Sequence, residues 1–212
     1  QWFIDYSIPK WKEKAHIHVN GMTFNDETVR KSLHIAVDWL EQWPCSRTYG
    51  LGTTFPNEID DSMKNKIDSL SDSTIYMAMY TIYHLFDIHK VDPTELTNEV
   101  FDYIFLLKDY ENSAFSKFTP FRDEFIHWYP MNLRVSAKDL INNHLTMCIF
   151  NHVIIWDDKF MERYKKYYPE RCDKIKSFAP ISYDINGYIT VQKPGAKMNK
   201  VTPVECEKMS KS

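Results

Sequence analysis

Apolar positions along the chain change their spacing several times, and each change predicts an element. Behind Asp26 and Glu27, the residues Val29, Leu33, Ala36, Val37 and Leu40 recur at three- and four-residue steps. That period predicts an amphipathic helix, capped by Thr23 or Asn25 and ended before Pro44. Thr74 to Phe86 is apolar nearly all round, which predicts a helix buried on most sides with Asp72 and Ser73 at its start. Two further helices are expected between 90 and 130. One is capped by Thr97 with Glu99 in its first turn, and the other starts at Thr119-Pro120 and stops at Pro130.

Downstream, Asn132 to Ser136 reads as a short strand, and the apolar series Leu140, Leu145, Ile149, Val153 and Trp156 reads as a long helix opened by Asp139. Strand, turn and helix in that order form the unit of an α/β nucleotide fold, whose ligands sit at the carboxyl end of the strand. Residues 157 to 177 predict a surface helix broken at Pro169. Phe178 to Tyr183 and Tyr188 to Gln192 flank Asn186-Gly187, a turn pair that predicts a hairpin leading into the 193–207 loop. Residues 1 to 20 show no clear period and read as a lead-in segment with a turn at Ser7 to Lys10.

Composition narrows the class. With 212 residues and 43% hydrophobic content the chain can fill a core, and 5 glycines are few for a fold made of many tight turns, so a helix-rich architecture is expected. A formal charge of -3 provides no global field to draw it onto nucleic acid or anionic lipid. Cys45, Cys148, Cys172 and Cys206 lack metal-site spacing and read as reduced thiols of an intracellular protein. No run of about 18 apolar residues occurs, so no membrane partner is expected. The absence of an initiator methionine suggests a fragment or processed product.

Candidate chemistry is concentrated in a few places. Lys208-Met209-Ser210-Lys211-Ser212 places two ammonium groups and two hydroxyls on one loop, a set suited to the oxygens of a polyphosphate. Asp139 at the strand–helix junction is suited to accept hydrogen bonds from ribose hydroxyls, and His144 lies about 1.4 turns further on, able to face the same pocket. Helix capping and a satisfied core histidine are the alternatives for these two. Asp72 and Ser73 read first as the plain cap of a core helix, with the orientation of a small polar ligand at that helix start as the alternative. His16 and His18, on the same face of an expected strand, lack a third ligand, and no metal site is expected. Gly50 and Gly52 beside Arg47 mark a close backbone approach or simply a turn.

Taken together these motifs closely resemble the archaeal and eukaryotic cytosolic type of leucyl-tRNA synthetase, a class I aminoacyl-tRNA synthetase. The match runs through Trp2 to Tyr6, Cys45 to Thr53, Ser69 to Ala78, Trp128-Tyr129-Pro130, Leu133 to Leu140, Asn143-His144-Leu145 and the Lys208 to Ser212 signature loop. The resemblance implies an α/β, Rossmann-like catalytic domain: helix-rich, with a short parallel sheet and a β-hairpin before the C-terminal loop. Residues 1–20 would be the exit from the editing insert, and 21–212 the second half of the catalytic domain, with a surface insertion near 90–127. By the same resemblance Lys208 and Lys211 are catalytic and, with Met209, Ser210, Ser212 and Asp139, bind ATP. Ser73, Tyr76 and His144 border the leucine pocket. The implied reaction joins leucine to tRNA(Leu) through leucyl-adenylate, using ATP with Mg2+ in the cytoplasm, with a multi-synthetase complex as a further partner of the full-length protein.

Departures from the family matter as well. Its His-x-Gly-His signature is absent, since His16-Ile17-His18-Val19 has other residues and stands after the editing exit, so these residues alone are expected to be catalytically incompetent. Ala137 stands where a glycine is expected. A non-catalytic, synthetase-derived binding module is the competing reading, and a sister synthetase for valine or isoleucine is a third. An incomplete parallel sheet predicts marginal stability and an exposed strand edge.

Overall fold

The computed structural model describes residues 1–56, 65–111, 113–187, 190–192 and 206–208. The chain begins with β1 (Phe3–Asp5), which pairs antiparallel with β3 (Gln42–Pro44). Between them lie α1 (Pro9–Gly21), β2 (Thr23–Phe24) and α2 (Glu27–Trp39). Residues 9 to 20 are therefore helical. Pro9 occupies the first turn, where its missing N–H costs nothing, and Ala15 and Val19 supply the buried stripe. The helical period also corrects the histidine pair: His16 faces His34 and Asp38, whereas His18 donates to the Pro180 carbonyl at 2.8 Å.

In α2 the expected positions Val29, Leu33, Ala36 and Val37 are buried, as is Leu40 just beyond it. Its cap is Asp26, whose carboxylate accepts from Thr28 N–H, one residue past the expected Asn25. Asn25 instead clamps strands together, accepting from Ile185 N–H at 3.0 Å and donating to the Ile185 carbonyl at 3.2 Å.

Next come β4 (Ser46–Arg47) and β5 (Lys66–Ile67), an antiparallel pair, then α3 (Ser69–Asp72) and α4 (Tyr76–Ile88). Among the described residues Gly50 and Gly52 carry positive φ, which explains both glycines as turn residues. In α4 the sequence expectation fails, since only Ala78 and Ile82 are buried and Tyr80 and Tyr83 stand in solvent. One face meets a neighbouring helix, and tyrosines tolerate water on the other because each carries a hydroxyl. Asp72 and Ser73 end α3 rather than start α4, which has no side-chain cap.

α5 (Asn98–Phe105) and α6 (Thr119–Trp128) follow, near their expected bounds; Thr97 takes the cap position of α5 but its side chain makes no cap bond. Then come β6 (Arg134–Ala137), a 3-10 turn (Lys138–Leu140), a π-helical turn (Ile141–Leu145), α7 (Thr146–Ile155) and α8 (Asp158–Tyr167). β7 (Ser182–Asn186) is the middle strand of a parallel sheet in the order β2-β7-β6. With both edges of β7 occupied, Asn186-Gly187 cannot turn it into a hairpin partner for the next strand. β8 (Thr190–Gln192) pairs antiparallel with β9 (Cys206–Lys208) instead, so the hairpin before the final loop is formed by other strands than expected.

Two apolar clusters hold the fold. One packs α1, α2, the π turn, α7 and β7 through residues such as Val19, Leu33, Leu145, Phe150 and Tyr183. The other gathers α4, α5, α6 and α8 around Phe121, Phe125, Phe160 and Phe178. Cys45, Cys148 and Cys172 are free thiols. Among the described residues no helix is long and apolar enough to cross a membrane.

Candidate functional site

Ser73, Tyr76 and His144 come together. With Asp72 and Tyr80 they line an open cleft of about 390 Å³ between the α3–α4 junction and the π turn. Each wall has a local cause. Asp68 caps α3 by accepting from Leu70 N–H, and its nearly fully buried carboxylate pairs with Arg47 at 2.8 Å. The junction is fixed from below by a relay in which Tyr6 donates to Asn151, Asn151 donates to Thr74, and Thr74 donates to the Ser71 carbonyl at 2.8 Å. Tyr76 stacks edge-on against Tyr80, their centroids 5.0 Å apart.

The opposite wall is the π turn. One extra residue per turn swings His144 inward, and the Thr146 hydroxyl donates to the Ile141 carbonyl at 2.6 Å, bracing the wider turn. The Nε2 of His144 bonds the Ser73 carbonyl at 3.1 Å, and Nδ1 faces Arg134 Nη2 at 3.2 Å. A carbonyl only accepts and a guanidinium only donates, so the ring is neutral with its proton on Nε2. Burial lowers the pKa of His144, and the Arg134 charge lowers it further. The cleft thus presents one neutral imidazole, two tyrosines and the Asp72 carboxylate, a surface that favours a cationic group at its rim and apolar atoms against its rings.

Tyr76 and Asp72 also border a second cavity of about 460 Å³ between α4, α5 and the end of α7, walled mostly by apolar side chains such as Met79, Phe105 and Ile155. Asp139 lies in the 3-10 turn at the carboxyl end of β6, where the strand–turn–helix reading puts it, and its carbonyl accepts from Asn143. Lys208 ends β9, and Met209, Ser210, Lys211 and Ser212 lie outside the described residues. No group of three or more His, Cys, Asp or Glu side chains among the described residues is arranged to hold a metal ion.

Comparison with known proteins decides the family. A leucine–tRNA ligase of Methanococcus aeolicus is 39% identical over 216 residues, a match spanning 97% of this chain. Over nearly its whole length the chain is similar to one stretch of a leucine–tRNA ligase. The leucine–tRNA ligase of Methanocaldococcus jannaschii is 42% identical over 94% of the chain, and leucine–tRNA ligase 2 of Saccharolobus solfataricus 44% identical over 74%. The chain spans about a fifth of the length of the leucine–tRNA ligases it matches, 20%, 19% and 17% of these three. No family model matches it. The helix-rich α/β architecture with its short parallel sheet agrees with a catalytic-domain segment of such an enzyme.

Sequence reasoning missed several residues that shape the cleft. Asp68, Thr74 and Asn151 are polar groups with partners 20 or more positions away, besides the local bonds by which Asp68 caps its own helix and Thr74 donates to the Ser71 carbonyl. Arg134 was legible as part of a strand and of the Leu133 to Leu140 match, and nothing in a four-residue strand says that its side chain will meet a histidine ten positions on.

Proposed function

We propose that this chain supplies the leucine-binding wall and part of the ATP site of a leucine–tRNA ligase, residues 1–20 leaving the editing insert and 21–212 forming the second half of the catalytic domain. The observation that carries the reading is the convergence of Ser73, Tyr76 and His144 on one cleft. In this reading the leucine side chain lies against Tyr76 and the neutral ring of His144, while Ser73 borders it. Asp139 binds the ribose at the carboxyl end of β6, as ligands of parallel α/β sheets do. Lys208 and Lys211 act on the phosphates, with Met209, Ser210 and Ser212 completing that loop.

The reaction has two transfers. A leucine carboxylate oxygen attacks the α-phosphorus of ATP, which arrives with Mg2+, and pyrophosphate leaves. A terminal hydroxyl of tRNA(Leu) then attacks the leucyl carbonyl and AMP leaves. No side-chain nucleophile is needed, and the work is positioning plus stabilisation of charge on phosphate oxygens. That requirement is met by lysines, a ribose-binding carboxylate and a cleft whose imidazole is uncharged. A cytoplasmic setting and a multi-synthetase complex belong to the same proposal.

A segment exchange tests it. The chain replaces the homologous stretch of the Methanocaldococcus jannaschii ligase, to which it is 42% identical, and leucine-dependent ATP–pyrophosphate exchange is measured. Retained exchange, lost on Lys211→Ala, is the expected result. A folded hybrid that binds ATP but shows no leucine-dependent exchange contradicts the proposal.

A further inference from the structure

The groups around His144 are few. Arg134 approaches from β6, Asp72, Tyr76 and Tyr80 lie across the cleft, and Lys138 and Asp139 stand in the 3-10 turn packed against the π turn. Cys148 and His152 follow on α7, and α2 packs on the π turn through the apolar core that includes Leu33 and Val37. Among the described residues no ion pair joins Arg134; it is half-buried, and its guanidinium reaches Nδ1 of His144 at 3.2 Å. A half-buried cation bonded to a neutral ring is costly unless the ring can only accept at that nitrogen.

We propose that Arg134 is a positioning residue for the leucine cleft: by donating to Nδ1 it holds His144 neutral, with the ring proton on Nε2 committed to the Ser73 carbonyl. The inference rests on the reading of the cleft as the leucine site. With both nitrogens engaged, His144 has no proton to give or take and meets the substrate as an uncharged ring. An imidazolium in the same place would hold water and favour polar side chains, so Arg134 contributes to selection of a branched aliphatic side chain without touching it. The charge itself enforces this, because a proton added to Nδ1 would face the guanidinium directly.

The test needs no substrate. Long-range 15N correlation spectra of the ring nitrogens report tautomer and titration of His144 in the 212-residue chain. The native chain is expected to show the neutral Nε2–H form, and Arg134→Met a mixture of tautomers with proton affinity raised about tenfold, the size of one pKa unit. Arg134→Gln, which can still donate but carries no charge, should keep the tautomer while proton affinity rises; it decides the matter if Arg134→Met does not fold. A native Nδ1–H form, or proton affinity unchanged in the variants, overturns the proposal. In the exchanged ligase, Arg134→Met should raise the leucine KM about two- to fourfold more near pH 6 than near pH 8, because burial still holds the ring below its ordinary value. Equal ratios in variant and parent overturn the selectivity role. Because the spectra are recorded without leucine, they judge Arg134 even if the hybrid shows no leucine-dependent exchange, a failure that counts against the functional reading alone.

Discussion

The imidazole of His144 donates from Nε2 to the carbonyl of Ser73 across 3.1 Å, joining two segments 71 residues apart in sequence. This bond, with the Arg134 contact on the other nitrogen, closes one side of the cleft. His144→Phe keeps an aromatic ring there but leaves a carbonyl and a guanidinium without their partner. It should destabilise the chain by about 2–3 kcal/mol, seen as a lower urea midpoint at unchanged slope.

Arg47 and Asp68 hold the start of α3. The carboxylate of Asp68 is nearly fully buried and the guanidinium is about one third exposed, at 38%. Removing the cation strands a charge, whereas removing both leaves a smaller defect. Arg47→Ala is expected to cost about 2 kcal/mol, below the full value for a buried pair because water reaches the arginine. The double change Arg47→Ala with Asp68→Asn should recover part of that loss in thermal unfolding, and an additive result would contradict the pairing.

Acid should weaken the fold through buried histidines. His18, His144 and His152 all have pKa values lowered by burial, His152 to about 3. His152 is locked as a neutral ring, Nδ1 donating to the Cys148 carbonyl at 2.7 Å and Nε2 accepting from Tyr129 at 2.5 Å. These rings stay neutral when folded and bind protons when unfolded. Their stabilisation is complete above the unfolded value near 6.5 and is lost as pH falls toward each folded value; for His152, folded value about 3, the loss is about 1.4 kcal/mol per pH unit over this range. Urea midpoints between pH 7.5 and 5 should fall accordingly, and His152→Gln should flatten the dependence.

Phe178 is fully buried among Phe125, Tyr129, Phe160 and Tyr164, with ring centroids 4.7 Å from Phe160 and 4.8 Å from Tyr164. Phe178→Ala opens a cavity that four rigid rings cannot collapse into. A loss of about 3–5 kcal/mol is expected, while Ile17→Ala, on a residue that is 64% exposed, should stay within about 0.5 kcal/mol.

Legibility in the sequence followed the range of the forces involved. The period of Val29, Leu33, Ala36 and Val37 is a local signal, and α2 formed where it pointed. Thr119-Pro120 and Pro130 bracketed α6 for the same reason. The failures were non-local. Asn186-Gly187 has the composition of a hairpin turn, but β7 was already paired on both edges. Thr74 to Phe86 is apolar enough for full burial, yet only one face of α4 found a partner helix. Ser73, Tyr76 and His144 were grouped through motif likeness, and their meeting in one cleft depends on the π turn, which no residue spacing announces.

The most direct measurement is the leucine KM of the exchanged ligase carrying Tyr76→Ala, determined alongside its ATP KM. If Tyr76 walls the leucine side chain, losing the ring should raise the leucine KM by about tenfold or more, from roughly 1.5–3 kcal/mol of apolar contact, and leave the ATP KM within about twofold. An unchanged leucine KM, or an equal rise in both constants, would contradict the assignment of this cleft to leucine.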